Sequence, residues 1–345
     1  MYIVKPGINI DFIGKRQICY GISVFLIFCG IISLVIHGGP NYGIDFAGGT
    51  LIQIKFNEDV KIADIQKGIS SIELGNAAVQ RFGEKENNEY LIRTNFSIDA
   101  KEDFDSKLKA SIKSSTGRDV DVQRTEMVGP AVGKDLQEKA LFAIFYSLLF
   151  ITVYISGRFE LKWMESLIIG GALMGVVYFL SAFKVSTPYL ITVALIVSLA
   201  IFAVRELKYA IGAIVALIHD VLITVGLFSI LDKEFTLQII AAVLTIIGYS
   251  LNDTIIVFDR IRENKKKVQK KESLPDVINK SVNETLNRTI LTSGTTLMVV
   301  LALFIFGGAI IQDFALAMLV GIVVGTYSSI YVASPILLIW PEKKR

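Results

Sequence analysis

An aspartate, Asp253, lies in the stretch GYSLNDTIIVFDRIRE at 248–263, inside an apolar span running from about Phe235 to Phe258. A carboxylate deep in a membrane helix costs about 2.5–3.5 kcal/mol on insertion scales, so such residues face a bundle interior and mark ion pathways. Asp253 stands about a turn and a half inside Phe258, a position for a proton or ion carrier. Tyr249, Ser250, Asp253 and Arg260 recur at helical spacing on one face. The competing interpretation has the carboxylate pairing with Asn252 or reaching toward the polar flank. Arg288 opens a later span, RTILTSGTT. Arg288, Thr292, Thr295 and Thr296 fall at i, i+4, i+7 and i+8, a polar stripe headed by a cation. An arginine does not release its proton, but its charge biases the protonation of a carboxylate beside it. A positive flank followed by hydroxyls bonded to their own helix would read the same.

His219-Asp220 sits near the middle of another apolar span. Imidazole titrates near neutral pH and suits a relay, while a neutral histidine bonded to a neighbouring helix is the plainer role. Asp220 and Asp253 as a facing pair would make an intramembrane aspartyl protease. The glycine-rich context usual around one such aspartate is missing, since Ser250-Leu251-Asn252 precedes Asp253.

These groups need membrane helices to position them, and the composition supplies them. The 345 residues are 52% hydrophobic, with a mean hydropathy of +0.56. Eight apolar segments are long enough to span, near 17–36, 139–157, 163–183, 187–204, 209–231, 235–258, 289–307 and 314–338. The pair at 163–204 is divided only by Lys184-Val185-Ser186-Thr187-Pro188. A single 41-residue helix overshoots one bilayer, so Pro188 marks a hairpin. The first span follows Lys15-Arg16 without a small-residue cleavage site and reads as an uncleaved anchor. Cys19 and Cys29 both fall within it and indicate no disulfide framework.

Basic clusters set the orientation. Lys5, Lys15 and Arg16 start inside, and Arg158, Lys162, Arg205 and Lys208 return inside. Arg260, Arg262, Lys265, Lys266, Lys267, Lys270 and Lys271 are inside as well, and Lys343, Lys344 and Arg345 end there. All agree only if the 163–204 insert crosses an even number of times. The basic tract 260–271 is a flank that also suits contact with anionic lipid. Region 55–126 mixes acids and bases evenly, which excludes a nucleic-acid surface.

The expected division is therefore 1–37 (N-terminus and first helix), 38–138 (an exoplasmic domain), 139–162 (second helix), 163–204 (hairpin) and 205–345 (four helices with a basic loop at 260–287). Within 38–138, strands are expected at 51–56, 77–82, 89–94 and 119–127. Helices are expected at 60–72 and at 99–115, the latter capped by Asp99. That βαββαβ order is the ferredoxin-like split pattern. Tyr42–Thr50, YGIDFAGGT, has no Lys-Ser/Thr after its glycines and no helix opening behind it, so it is a structural turn in which Asp45 can act as a cap. Met127–Gly133, MVGPAVG, is expected to be a hinge-like linker.

Six pieces carry a resemblance. GIDFAGGT at 43–50, MVGPAVGKDL at 127–136, GAIVALIHDVLIT at 212–224, GYSLNDTIIVFDRIREN at 248–264, RTILTSGTT at 288–296 and TYSSIYVASP at 326–335 together resemble the SecF family, the smaller members of the SecD–SecF pairs of bacterial protein export. The resemblance implies a polytopic helix bundle of the resistance–nodulation–division type with a ferredoxin-like α+β exoplasmic domain. It also implies residence in the bacterial inner membrane with both termini cytoplasmic. The implied work is with SecD, the SecYEG channel and SecA on unfolded polypeptide in transit, driven by a proton or sodium gradient. The positions matching Asp253 and Arg288 would carry ion coupling, and no cofactor, metal or catalytic centre is implied. One departure is large: the family pattern has six spans and runs from RFE almost directly into GAI-AL-HD, whereas here RFE at 158–160 precedes the 163–204 hairpin. Glu165 and Lys184 are the hairpin's only acidic or basic residues, so it is expected at the bundle's periphery. The runner-up function is a half-transporter of the same fold for lipid or small molecules, which would want a larger exoplasmic region with an apolar cleft.

Overall fold

A computed structural model describes residues 7–72, 77–83, 85–94, 104–183, 185–267 and 273–339. Asp99 as a cap and the cations Lys5, Lys184, Lys270, Lys271 and Lys343–Arg345 lie outside the described residues. In chain order the elements are α1 (Arg16–Ile36), α2 (Ile44–Ala47), β1 (Gly49–Phe56), α3 (Ile62–Ser70), β2 (Ala78–Phe82), β3 (Glu89–Thr94), α4 (Phe104–Thr116) and β4 (Val120–Val128). The helices α5 (Pro130–Ile155), α6 (Trp163–Ser181), α7 (Thr187–Val204), α8 (Lys208–Ile230), α9 (Leu237–Lys267), α10 (Leu274–Phe306) and α11 (Gly308–Ser328) follow. Eight of these helices, α1 and α5–α11, are long and apolar enough to cross a membrane.

The β-domain has strand order β2-β3-β1-β4, all neighbours antiparallel, the ferredoxin-like arrangement. Alternation puts Ile52, Ile54 and Phe56 on one face of β1, opposite Ile92 and Tyr90 of β3. Ile65 and Ile69 of α3 and Leu108 and Ile112 of α4, each pair four residues apart, close over that face. Tyr90 is fully buried. Its hydroxyl accepts from Val60 N at 3.1 Å and lies 2.7 Å from Val60 O and 2.9 Å from Asp59 Oδ1. Tyr90→Phe strands those partners at a cost of about 1–3 kcal/mol, read as faster amide hydrogen exchange in β1 and β3 of the whole chain; unchanged exchange would show the hydroxyl to be idle. Burial also pushes the Tyr90 phenol above its ordinary value of 10.0. The folded domain then holds a proton that the unfolded chain releases. Stability is complete below about pH 10 and falls as pH rises through the raised value.

The chain leaves the domain with no slack. β4 ends at Val128, Gly129 caps and Pro130 begins α5, so the expected linker at Met127–Gly133 is instead the end of a strand and the first turn of a helix. The preceding strap is equally tight. Gly48 has φ +75°, and a Cβ there would come 2.8 Å from Pro130 Cα, so only glycine fits.

At the far end of α5 a π-helical turn at Ser156–Glu160 is followed by Leu161 at φ 59°, which swings the chain into α6. The hairpin α6–α7 packs against α5 and α8 through Leu173, Val177, Ile191 and Phe202 and leaves its outer faces exposed. Its base is held by Glu165 to Arg205 at 3.3 Å and by Ser166 Oγ donating to Ser156 Oγ at 2.6 Å. α9 and α10, at 31 and 33 residues, exceed the roughly 20 that a bilayer needs. Their polar ends continue as a helical pair in which Asn264 donates to Ser281 at 3.0 Å and Glu284 at 2.8 Å. Asn279 and Asn283 of α10 grip the backbone of Ile10 and Phe12, tying the N-terminal segment to this pair.

Candidate functional site

Asp253 is 1% exposed. The apolar residues of α9 at 239–247 bury one stripe of that helix against α8 and α11, and the same stripe carries Ser250, Asp253 and Thr254 inward. Asp253 Oδ2 accepts one hydrogen bond, from Ser293 Oγ of α10 at 3.2 Å. Ser293 is in turn 2.7 Å from Thr326 Oγ1 of α11, which lies 2.8 Å from Ile322 O. Three helices thus meet through one carboxylate and two hydroxyls.

Asp220 of α8, also 1% exposed, organises a second cluster. Its Oδ2 accepts from Ser250 Oγ at 2.5 Å and from Ser328 Oγ at 2.9 Å, and its Oδ1 lies 2.9 Å from His219 Nδ1. His219 Nε2 is 2.9 Å from Ser23 Oγ of α1, which is 3.1 Å from Tyr327 OH; that hydroxyl donates to Cys19 O at 2.6 Å. A neutral imidazole protonated on Nδ1 satisfies every member, with Ser23 donating to Nε2. α1, α8, α9 and α11 are joined here. Asp220 and Asp253 have separate partners and share no hydrogen bond, and Ser250 stands one turn from Asp253 on the same helix.

Close approach of α9 and α11 makes both clusters possible. A Cβ on Gly325 would fall 2.8 Å from Ser250 Cβ and 3.0 Å from Ser250 Oγ. Gly325→Val should push the helices apart at a cost of about 1–3 kcal/mol from overpacking, seen as a lower unfolding temperature in detergent; an unchanged temperature would mean that the contact is not tight.

Arg288 lies elsewhere. It is exposed and lines a cleft of about 550 Å³ between α5, α9 and α10, together with Asn252 and Tyr154. Two other arginines of the cleft are paired, Arg158 with Asp259 at 2.5 Å and Arg260 with Glu263 at 2.9 Å and Glu284 at 3.5 Å. Among the described residues no carboxylate comes within 4 Å of Arg288, so it makes no direct ion pair with Asp253. Thr292 and Thr295 donate to carbonyls of their own helix. The structure therefore brings Asp253, Ser293 and Thr326 together, and His219 with Asp220, and it leaves Asn252, Arg288, Thr292 and Thr295 outside those contacts.

Ser293 and Thr326 were not singled out in the sequence. The buried polar row of α10 is Ser281, Thr285, Thr289 and Ser293, one residue (100°) around the helix from the row headed by Arg288. Four-residue spacing of small hydroxyls was the available signal. Thr289 is buried, and among the described residues its hydroxyl has no hydrogen-bond partner.

Comparison with known proteins places this arrangement. The family model for the C-terminal region of SecD/SecF protein export membrane proteins matches residues 107–188 and 183–343, two pieces that overlap between α6 and α7. The SecD/SecF GG motif matches residues 33–60. Protein translocase subunit SecF of Magnetococcus marinus is 41% identical over 100% of this chain and 96% of its own. That of Vibrio alginolyticus is 40% identical over 97% and 91%, and that of Rickettsia prowazekii 33% over 99% and 94%. A crystal structure of SecDF, a translocon-associated membrane protein from Thermus, superposes with a TM-score of 0.68 at 30% identity, covering 99% of this chain and 39% of that one. With its eight membrane-crossing helices and ferredoxin-like domain, the chain belongs to the SecD/SecF family of protein export membrane proteins, among the SecF translocase subunits.

Proposed function

We propose that the chain is an ion-coupled motor subunit of polypeptide export, working with a SecD partner, the SecYEG channel and SecA in the bacterial inner membrane. Both termini and the α9–α10 polar ends face the cytoplasm and the β-domain faces outward, where it meets unfolded polypeptide. The basic clusters support this orientation, and the 39% coverage of a SecDF chain supports a partner that supplies the rest. Catalysis of a covalent step is not part of the role.

The observation that carries the reading is Asp253, sealed at 1% exposure with a single hydroxyl donor among the described residues. That hydroxyl chain works in two directions. With Asp253 ionised, Ser293 donates to the carboxylate and Thr326 donates to Ser293. With Asp253 protonated, the carboxyl donates to Ser293, Ser293 to Thr326, and Thr326 to Ile322 O. Loading and unloading a proton thus reverses a chain of bonds linking α9, α10 and α11, a two-state element of the kind a gradient can bias. Arg288 lines the cleft beside Asn252, and among the described residues Thr289 offers a spare hydroxyl one turn from Ser293. Sodium would use the same oxygens.

The test uses inverted membrane vesicles: completion of a translocation intermediate with and without an ion gradient, for the native chain and Asp253→Asn. Gradient stimulation confined to the native chain supports the motor; equal stimulation of both overturns it.

A further inference from the structure

The strap between α1 and the β-domain packs on the start of α5 through α2, and its contacts with the loop before α9 are specific. Phe235 N donates to Asn41 O at 2.7 Å and Gly43 N to Phe235 O at 3.0 Å. Asn41 Nδ2 donates to Asp232 Oδ1 at 3.2 Å, and Arg93 of β3 pairs with Glu234. All four bonds hold the loop before α9. A fifth lands on α9 itself: Asp45 Oδ2 accepts from the backbone N–H of Leu237, its first residue, at 2.8 Å.

That bond is a cap supplied from elsewhere in the chain. α9 has no acidic residue in its own first turn, and a carboxylate at a helix N-terminus satisfies an open N–H and complements the dipole. Asp45 is one residue into the short helix α2, which ends at Ala47 and passes through Gly48 directly into β1, the strand paired on both sides in the sheet. Asp45 therefore links the start of α9 to β1, four residues away, through α2 and Gly48. Asp253 lies on the same helix 16 residues further on, about 24 Å along the axis.

Resting on the motor reading, we infer that Asp45 is a positioning residue that couples α9 to the β-domain, so that a shift of α9 driven at Asp253 moves the domain. The plain alternative is a local tether that only stabilises the strap, and the two differ in whether the domain follows Asp253.

The experiment measures the distance between spin labels at Ser106→Cys on α4 and Gln312→Cys on α11, in a Cys19→Ala, Cys29→Ala background of the full chain in its membrane. Asp253→Asn, which fixes the site neutral, is expected to shift the distance distribution. Asp45→Ala should reduce that shift at least fivefold, while Asp45→Asn, which keeps an acceptor oxygen, preserves most of it. Leu237→Pro removes the donor instead, at a first-turn position that tolerates proline. It should uncouple as Asp45→Ala does, and it covers the case in which Asp45→Ala fails to assemble. Arg93→Ala cuts a loop contact only and should leave the shift in place. Persistence of the shift in both uncoupling variants, or its absence in the otherwise native chain, overturns the inference. Gradient-dependent export by Asp253→Asn, measured on the same membranes, decides the motor reading separately.

Discussion

Asparagine in place of Asp253 should remove the gradient-dependent part of export and leave a folded chain. The substitution is nearly isosteric, its amide oxygen still accepts from Ser293, and its amide N–H₂ supplies the donor that a protonated carboxyl would. What it lacks is the ability to alternate. One charge moved through 100 mV is worth about 2.3 kcal/mol, about 50-fold in an equilibrium at room temperature, and that gain is what the variant forfeits. Completion of the intermediate should fall to the rate seen without a gradient, while the yield and unfolding temperature of the chain stay native. Ser293→Ala should be intermediate: it breaks the link to Thr326 but leaves a titrating carboxylate, so stimulation persists in part and its pH profile moves. Full stimulation retained by Asp253→Asn would make the carboxylate structural and put the half-transporter alternative ahead.

The order of these effects follows from what a sequence can and cannot carry. Apolar runs of membrane length are long signals, and each of the eight expected from the sequence corresponds to a helix. The start of α5 is different: a span beginning near 139 is in fact a helix from Pro130, because PAVGKDLQEK is helical outside the apolar run, with Lys139 and Asp135 paired at 2.7 Å across one turn. Hydropathy marks the membrane portion of a helix, not its length. Asp253 was legible as a lone carboxylate in an apolar span. Its donor Ser293 was not, since a serine on a membrane helix bonds its own backbone as easily as a neighbour, and a rotation of 100° decided which row of α10 faces inward. Asp45 was legible as a cap, but its helix is α9, 192 residues away, and local spacing holds no record of such a distant partner.

Asp220 should separate a structural role from a relay by comparing two replacements. Alanine leaves Ser250, Ser328 and His219 without their acceptor in a buried site. At roughly 0.6–1.7 kcal/mol for each membrane hydrogen bond, the three lost contacts cost about 2–5 kcal/mol, a large share of the usual 5–15 kcal/mol of a folded domain. The expected result is poor recovery from the membrane and an unfolding temperature many degrees lower. Asparagine keeps one acceptor oxygen for the two serines. Its N–H₂ then faces His219 Nδ1, which must become the acceptor, moving the imidazole proton to Nε2, where Ser23 accepts it. Ser23 in turn donates to Tyr327 OH, which still donates to Cys19 O. The network is rewired by one tautomer change and every polar atom stays paired, so Asp220→Asn should unfold within about 1 kcal/mol of the native chain. Gradient stimulation then discriminates. If Asp220 only fastens four helices, the asparagine variant exports as the native chain does. If His219 and Asp220 pass protons, it is stable and unstimulated, because an amide cannot take the proton that the imidazole would hand on.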